Sequence, residues 1–371
     1  MKIVHVGNHF SPCIGGVEKV MMDTCRLLNA GGHEAWVVCL ERCANSKARL
    51  PKQSTENGVR VRRVPFLDLH YYKIALGVLS EIKSADIVHV HGIGFFSDFL
   101  IATKWLHKKP IVVSTHGGIF HTESIGFLKK IYFHAIQRML LGFADAIIAV
   151  SRNDLQLFKK IVKHAALIEN GVNISDFRAG TKKPGSFLFL GRFSKNKRID
   201  LLLETFAAVA RIAPKANKGK FSLIIAGTDW EGLLNEYKKR AKELGLENSV
   251  EFVLDPDEVR VRELYSESEY YVSASRYEGF GISLVEAMAS GCVPIVEKNM
   301  GYSEIVDDKE NGFFAYFEDS EDAAKKIVAV LNMAAAEKKK VSRKAVSKAG
   351  KFSLAGKMEK TEMVYRRLLA K

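Results

Sequence analysis

The stretch Ser275-Arg-Tyr-Glu-Gly-Phe-Gly-Ile-Ser-Leu-Val-Glu-Ala-Met-Ala-Ser-Gly291 follows an apolar run and leads into a helical pattern. It places the carboxylates of Glu278 and Glu286 around a Gly-Phe-Gly turn, so we expect both to face one pocket. The bare backbone N–H groups of such a turn point at whatever lies there. The pocket would suit a ligand that is rich in hydroxyls and carries phosphate.

Short apolar runs alternate with helical patterns along the chain, and the alternation restarts near residue 186. β-α alternation of apolar strands is typical of parallel sheets that are covered on both faces. The predicted fold class is therefore α/β, with two tandem doubly wound, Rossmann-like domains that face a cleft. Open parallel sheets bind ligands beyond the carboxyl ends of their strands. Strands are predicted at 3–6, 34–40, 59–65, 85–91, 111–115, 146–150, 186–190, 221–226, 250–253, 270–273 and 293–296. Helices are predicted near 98–108 and over 354–369, and the polar stretch 179–185 is interpreted as the linker between the two domains.

The chain has 371 residues and a formal net charge of +14. Residues 1–180 contain 23 Lys and Arg against 14 Asp and Glu, so the excess leans to the first half. A basic surface attracts nucleic acid, anionic lipid or a phosphorylated substrate, and the alternative is solubility alone. Because the chain lacks interleaved aromatic and basic stretches, no nucleic-acid partner is expected.

The start of the chain passes directly into a strand pattern without the shape of a signal peptide, which predicts a cytoplasmic protein. No run of 18 apolar residues is present, so a spanning helix is not expected. The five cysteines form no Cys-x-x-Cys pair. They are predicted to be reduced, mostly structural thiols, and no metal site is expected.

Two glycine-rich or basic loops are candidate anion sites. Gly15-Gly16 opens a predicted helix at 17–29, where either an anion or a plain tight turn explains the glycines. Arg192 and Lys197 follow the predicted strand 186–190. Arginine would hold a diphosphate through a bidentate fork and lysine as a point charge, whereas the alternative is a solvated basic loop.

The two carboxylates of the opening stretch differ in their structural alternatives. Glu286 fits a capping box with Ser283, in which the side chain at the third helical position bonds back to the N-cap backbone. Glu278 has no such structural reason in a turn, so we expect it to be functional. Asp255 and Asp257 have the outline of a metal-binding pair, but N-capping of the following helix is favoured.

Histidines also mark strand ends. His89 and His91 lie two apart on one predicted strand, and core or cleft-lining roles are favoured over metal binding because no third ligand is placed. His116 lies after a strand and before two glycines, which suits contact with substrate. Separately, residues 127–143 mix large apolar residues with Lys129, Lys130 and Arg138. This segment fits either an interfacial helix on an anionic membrane or an ordinary core-facing helix.

With these motifs in place, the chain resembles the family 4 retaining glycosyltransferases, which have the GT-B fold. The resemblance runs over nearly the whole length. It implies an acceptor-binding domain at 1–178, a nucleotide-sugar-binding domain at 179–350 and a C-terminal helix in 351–371 that packs back on the first domain. It rests on Gly15-Gly16, Asp86-Ile-Val-His-Val-His91, Thr115-His-Gly117, Val150-Ser151, Asn170-Gly-Val172, Gly191-Arg-Phe193, Lys197, Glu278 and Glu286.

The resemblance also implies roles for individual residues. Arg192 and Lys197 would hold the donor diphosphate and stabilise the leaving group, and Glu286 would hold the ribose hydroxyls. Glu278 would hold the donor sugar, and His116 would contact the sugar near the anomeric centre. Further donor contacts are implied for Gly15, Gly16, Gly279, Phe280, Gly281 and Ile282, with Ser151 and Asn170 as weaker candidates.

The implied reaction is a retaining, metal-independent glycosyl transfer without a cofactor, in which the acceptor hydroxyl attacks on the face that the leaving phosphate occupies. The amino-acid sequence of residues 191–200 and 273–288 is most similar to that of mannosyltransferases that use GDP-mannose and build lipid-linked or polysaccharide glycans. The alternatives are glucosyl, galactosyl or N-acetylglucosaminyl transfer from a UDP-sugar, and a sugar-nucleotide epimerase. Many family members have Lys-Gly where this chain has Lys197-Arg198, and the extra charge is expected to alter contacts to the base or phosphate.

Overall fold

A computed structural model describes residues 1–13, 15–43, 46–69, 72–116, 132–162, 164–213 and 221–370. The chain divides into two compact units. The N-terminal unit comprises Met1–Gly171 and Leu354–Lys371, and the C-terminal unit comprises Val172–Ser353. The predicted boundaries, 178/179 and 350/351, lie a few residues away because Val172 donates its N–H to the carbonyl of Phe352 and forms a bridge with Ser353.

The N-terminal unit is built on a sheet with the strand order β10-β9-β8-β7-β1-β2-β4-β3, in which only the β3–β4 pair is antiparallel. A separate antiparallel hairpin is formed by β5 and β6. The strands are β1 (Lys2–Val6), β2 (Glu34–Leu40), β3 (Gln53–Glu56), β4 (Val59–Val64), β5 (Leu67–Leu69), β6 (Tyr72–Ile74), β7 (Ile87–His91), β8 (Ile111–Ser114), β9 (Ala146–Ala149) and β10 (Ala165–Leu167). The helices are Gly16–Ala30, Val78–Glu81, Phe95–Ala102, Lys104–His107, the π-helix Tyr132–Gln137, Arg138–Leu141, Arg152–Phe158 and Leu354–Leu369.

Alternate residues of one strand belong to two different cores, which explains why the strands are continuously apolar. In β2, Trp36 and Val38 pack into one cluster, whereas Val37 and Cys39 pack into the other. Successive side chains of a strand point to opposite faces of the sheet. Both faces of this sheet are therefore covered, as the doubly wound prediction requires.

The helix Leu354–Leu369 begins and ends at the predicted residues. It packs within the N-terminal unit, where Leu354, Met358 and Tyr365 join the same core as Cys25 of the first helix. Tyr365 of this helix contacts His89 of β7 directly. The last helix therefore covers the face of the sheet from which the His89 side chain projects.

The C-terminal unit has a wholly parallel sheet with the strand order β13-β12-β11-β14-β15-β16. β11 and β14 are therefore neighbours although two strands separate them in sequence. The strands are β11 (Lys183–Leu190), β12 (Ser222–Gly227), β13 (Val250–Leu254), β14 (Ser268–Ser273), β15 (Val293–Glu297) and β16 (Phe313–Ala315). The helices are the 3₁₀ turns Ile174–Asp176 and Lys195–Lys197, then Ile199–Ile212, Leu234–Glu243, Glu258–Glu267, Ile282–Ala289, Met300–Ile305, Ser320–Leu331 and Ala335–Gly350.

Two details of the sequence prediction are wrong. Residues 183–185, assigned to a linker, begin β11 because Lys183 pairs with Ser268 across a register shift. The helix predicted over 98–108 is two helices that meet at Thr103, whose hydroxyl donates to the carbonyl of Phe99 at 2.6 Å. Such back-bonding by threonine bends or interrupts helices. Within the described ranges, no helix combines the length and the apolar character needed to cross a bilayer.

Candidate functional site

The turn between β14 and the helix Ile282–Ala289 has a backbone that requires glycine. Gly281 precedes the helix with φ +114°, and a Cβ there would lie 2.9 Å from the ring of Tyr302. A Cβ placed on Gly279 meets no atom within 4 Å in the described part of the chain. Gly281 is thus packed against Tyr302, whereas the backbone at Gly279 is accessible and a ligand can approach it.

Glu278 forms a tight pair with Lys197 at the start of this turn. The Lys197 ammonium lies 2.5 Å from Oε1 of Glu278, and each side chain is 14% exposed. The hydroxyl of Tyr302 donates to the same Oε1 at 3.0 Å, and its oxygen lies 2.9 Å from the hydroxyl of Ser273, which can donate to it. Sequence analysis named Lys197 and Glu278 separately, and the structure joins them into one charged pair.

Backbone contacts between two loops set the position of this pair. The loop after β11 carries Asn196, whose side-chain amide donates to the carbonyl of Tyr277 at 2.9 Å. In return, the N–H of Arg276 donates to the carbonyl of Asn196 at 3.0 Å. Because β11 and β14 are adjacent parallel strands, their carboxyl ends and the loops that follow them meet at one edge of the sheet.

Glu286 does not form the predicted capping box. The helix begins at Ile282 with Gly281 as its N-cap, so Glu286 lies in the second turn and is buried. Its Oε2 accepts a hydrogen bond from the hydroxyl of Tyr265 at 3.0 Å. Ser283, the expected capping partner, instead hydrogen-bonds to the hydroxyl of Tyr271 at 2.9 Å.

The phenol of Tyr271 lies within the electrostatic influence of both predicted carboxylates. Burial raises the pKa of the Tyr271 phenol, and the charges of Glu278 and Glu286 raise this pKa further. The side chains of Phe280 and Ile282 pack in the same apolar cluster as Tyr271. The raised pKa keeps the phenol neutral, and it hydrogen-bonds to the hydroxyl of Ser283.

Arg192 is separate from the Lys197–Glu278 pair in its contacts. It is exposed after β11, and its guanidinium stacks over the ring of Trp230 at 4.8 Å. Trp230 follows β12, the strand on the other side of β11. The two basic residues that the sequence grouped together thus make different contacts at the carboxyl edge of the same sheet.

The guanidinium of Arg198 is paired within the protein, and its expected effect on contacts to the base or phosphate stays a prediction. Its Nε donates to the carbonyl of Ala274 at 2.8 Å. Its guanidinium pairs with Glu297 at 3.2 Å and with Glu318. The backbone of Arg198 has φ +50°, a region that favours glycine, so the ion pairs hold a residue in a conformation that it rarely adopts.

We expect Arg198→Ala to lower the free energy of unfolding of the C-terminal unit by about 3 kcal/mol, because it leaves the nearly buried Glu297 without its cation. Urea unfolding measures the change. The matched control is Arg211→Ala, which removes the exposed pair with Glu321 and should change stability by less than about 1 kcal/mol. Equal effects of the two variants would contradict this role.

The first helix of the N-terminal unit opens at Gly15-Gly16 as predicted, with Gly15 as an extended N-cap. A Cβ on Gly15 would lie 2.2 Å from a carboxylate oxygen of Glu18. Glu18 therefore covers the positive end of the helix, where the macrodipole favours negative charge. An anionic ligand at this helix end has to displace that carboxylate.

Ser151 and Asn170 follow neighbouring strands of the N-terminal unit. Ser151 is the N-cap of the helix Arg152–Phe158 and accepts a hydrogen bond from the N–H of Asp154 at 3.1 Å. Asn170 is buried, and its Oδ1 has no hydrogen-bond partner among the described residues. The Ser151 hydroxyl is thus used to cap a helix, whereas Oδ1 of Asn170 can still accept a hydrogen bond from a ligand.

Four histidines form two hydrogen-bonded branches in the N-terminal sheet. His5 Nδ1 lies 2.8 Å from His91 Nε2, and His91 Nδ1 lies 3.0 Å from His116 Nε2. His89 contacts the hydroxyls of Tyr365 and Ser114 at 2.5 and 2.7 Å. His5, His89 and His91 are close enough to hold a metal ion, but these hydrogen bonds occupy most of the nitrogens that an ion would need.

Burial keeps this cluster neutral. Desolvation, reinforced by the charge of Lys357, lowers the pKa of His5 to about 3 and that of His116 to about 3. Desolvation also lowers the pKa of Lys357 to about 8, and the charge of Asp23 opposes this shift. His116 has φ +45°, so the residue expected to contact the sugar combines an unusual backbone with a side chain oriented by His91.

The cysteine prediction is partly wrong. Cys13 and Cys43 form a disulfide, which joins the loop before Gly15 to the loop after β2. The other cysteines, Cys25, Cys39 and Cys292, are free and buried, as structural thiols. The pairing escaped the sequence analysis because the 30-residue separation carries no spacing signal.

Asp257 is the N-cap of Glu258–Glu267 and accepts a hydrogen bond from the N–H of Arg260 at 2.7 Å, which confirms the capping interpretation. In the predicted interfacial segment, residues 127–131 with Lys129 and Lys130 lie outside the described residues. The described part begins with a π-helix, Tyr132–Gln137, and continues as Arg138–Leu141.

The sequence analysis missed Tyr302, Tyr265 and His5. No local signal marks the tyrosines, which reach the carboxylates from other helices. His5 carried a signal, because Val4-His5-Val6 and Val88-His89-Val90 repeat one triplet in two predicted strands. The structure pairs His5 with His89 in register between β1 and β7.

Comparison with protein families matches residues 14–176 to Glycosyltransferase Family 4 and residues 173–350 to Glycosyl transferases group 1. A GDP-mannose:cellobiosyl-diphosphopolyprenol alpha-mannosyltransferase of Xanthomonas oryzae pv. oryzae is 36% identical over 89% of this chain and 87% of its own length. The protein of the same name from Komagataeibacter xylinus is 32% identical over 82% of this chain and 78% of its own length.

Among solved structures, sucrose-phosphate synthase from Thermosynechococcus elongatus matches with a TM-score of 0.77 and 19% identity, and all of both chains is covered. Anabaena HepE in complex with UDP and glucose matches with a TM-score of 0.78 and 18% identity, covering 99% of this chain and 100% of its own. At these identities the likeness concerns the fold alone.

Proposed function

Since the chain belongs to the family 4, group 1 glycosyltransferases with the GT-B fold, we propose that it transfers mannose from GDP-mannose to a hydroxyl of a lipid-linked glycan. The donor and acceptor classes come from the relatives, whose names specify GDP-mannose and a cellobiosyl-diphosphopolyprenol. The observation that carries the proposal is the Lys197–Glu278 pair at the carboxyl edge of the C-terminal sheet. It offers a cation and a hydroxyl-binding carboxylate side by side.

Lys197 is proposed to stabilise the leaving diphosphate. Negative charge develops on the departing diphosphate in the transition state, and a cation placed there in advance stabilises it without reorganisation. Glu278, freed in part from Lys197 by the arriving phosphate, would accept hydrogen bonds from the sugar hydroxyls. Arg192 would join the phosphate contacts by leaving or extending from its stack on Trp230.

The remaining site assignments are proposals of the same kind. Glu286 would bind the ribose, which requires the ligand to reach a buried carboxylate that already accepts from Tyr265. The open backbone at Gly279 supports a ligand contact there. In the N-terminal unit, His116 would contact the sugar, Gly15 and Gly16 the phosphate after displacement of Glu18, and Asn170 would supply its free acceptor.

We propose a retaining, metal-independent mechanism that needs no further cofactor. The acceptor hydroxyl would attack on the face from which the diphosphate leaves, and the leaving phosphate oxygen would take its proton. No side-chain nucleophile takes part. The positive charge of Lys197 and Arg192 would serve where other enzymes use a divalent cation.

The test is transfer to a cellobiosyl lipid diphosphate with each of four donors: GDP-mannose, UDP-glucose, UDP-galactose and UDP-N-acetylglucosamine. We expect product with GDP-mannose alone, unchanged activity in EDTA, and an α-linkage by NMR. Transfer from a UDP-sugar would replace the donor assignment. Conversion of the donor without any acceptor would indicate an epimerase instead.

We also propose a peripheral contact with an anionic membrane, since the proposed acceptor carries a lipid. Trp105 and Phe143 are 73% and 65% exposed, and Leu106 and Met139 are exposed beside them in sequence. The exposed cations Lys108 and Arg138 flank these residues. Large apolar side chains next to basic ones are typical of surfaces that lie on anionic lipid. The cytoplasmic location stays a prediction.

A further inference from the structure

An apolar pocket of about 490 Å³ lies within the N-terminal unit. Its volume is within the range of about 300–1,000 Å³ that is usual for small-molecule sites. The wall is formed by the helix Phe95–Ala102 and the segment that begins at Tyr132. The residues that matter here are Phe95, Phe99, Ala102, Tyr132, Ile136 and Leu140.

The carboxylate of Asp98 beside this pocket is already satisfied by its neighbours. Asp98 accepts hydrogen bonds from the hydroxyl of Tyr72 at 3.0 Å, from the amide of Gln137 at 2.5 Å and from the hydroxyl of Tyr132. A hydroxyl-rich ligand would have to break these bonds, since unpaired polar groups are unfavourable when buried. An apolar ligand leaves the network intact.

The pocket reaches the surface of the N-terminal unit at Ile136. This side chain lines the pocket and is 44% exposed. The exposed Trp105 and Met139 lie on the helices Lys104–His107 and Arg138–Leu141, which follow in sequence the two segments that form the pocket wall.

We propose that this pocket binds an isoprenoid segment of the lipid-linked acceptor and thereby holds the acceptor at the enzyme. The proposal rests on the proposed function for the identity of the lipid. The occupant follows from three features: the apolar wall, the satisfied carboxylate beside it, and the exposure of Ile136, which opens the pocket to the surface. A long apolar chain can enter there while its charged head stays in solvent.

The direct test is binding by the full chain of geranylgeranyl diphosphate, with isopentenyl diphosphate as the probe that has the same head and a minimal tail. We expect binding of the long-tailed probe, measured by calorimetry, and at least tenfold weaker binding of the short one. Ala102→Trp fills the pocket and should weaken the long-tailed probe by roughly tenfold or more, because several methylene groups lose their burial. Ala102 is exposed at a helix end, so its replacement leaves the core intact.

The matched control is Ala30→Trp, since Ala30 is likewise an exposed alanine at the end of a helix of this unit. It should leave both affinities unchanged. Equal affinities of the two probes, an Ala102→Trp variant that binds the long tail as the parent does, or displacement of the long-tailed probe by cellobiose would each overturn the proposal. If tail binding behaves as expected but no donor supports transfer, the proposed function fails and the lipid site stands.

Discussion

Lys197→Ala is expected to lower the kcat of mannosyl transfer by about two to three orders of magnitude. Removal of one preorganised group that stabilises charge in a transition state typically has an effect of about 3–4 kcal/mol. The ammonium is 14% exposed and already held 2.5 Å from Glu278, so it requires no reorganisation when the diphosphate begins to leave. The measurement is kcat with saturating donor and acceptor, with the thermal midpoint recorded to show that the variant is folded.

The control for this prediction is Lys195→Ala, which removes an exposed cation from the same 3₁₀ turn. It should change kcat by less than about twofold, because a solvent-exposed charge is screened. Lys197→Arg keeps the charge with a different geometry and should retain an intermediate rate. A Lys197→Ala enzyme that keeps the parental kcat would remove Lys197 from the mechanism.

Acidification is expected to destabilise the N-terminal unit strongly between pH 6.5 and pH 3. The pKa of His5 is about 3 in the native protein and about 6.5 in the unfolded chain, so only the unfolded state takes up a proton in this window. Stability is therefore complete above pH 6.5 and is lost as the pH falls. At pH 5, His5 alone accounts for about 2 kcal/mol, and burial lowers the pKa values of His89 and His91 in the same direction.

The check is urea unfolding at pH 7 and pH 5, with the N-terminal unit followed by proteolysis. His5→Gln should reduce the loss of stability between the two pH values by about 2 kcal/mol, whatever its effect at pH 7. His164→Gln replaces an exposed histidine of the same unit and should leave the pH dependence as in the parent. If His5→Gln keeps the full acid sensitivity, the neutral histidine cluster is not its source.

Much of the fold followed from local pattern. A continuous apolar run predicted β2 with its observed bounds, because residues 35–40 all pack in one of two cores. The helix Leu354–Leu369 was also predicted with its observed bounds. Short edge elements such as β3 and β16 were not predicted, since they are too short or too polar to give a periodic signal.

The candidate site was predictable in its residue types and less so in its contacts. Glu278 was singled out because a glycine turn has no structural need for an acid. The capping box for Glu286 was wrong because the helix begins earlier, at Ile282, and carries that carboxylate into the core. The ion pairs of Arg198 could not be predicted, because its partners Glu297 and Glu318 are distant in sequence.

By itself, the sequence determined that a basic loop follows β11 and that a glycine turn with an acidic residue follows β14. Each of these features is contained in a short segment of the chain. Only the tertiary structure decided which of these ends meet. Lys197 and Glu278 are 81 residues apart and become partners because β11 lies beside β14 in the sheet. His5 and His89 meet for the same reason, through the pairing of β1 with β7. Strand order arises from long-range packing of the crossovers, and no local pattern contains it.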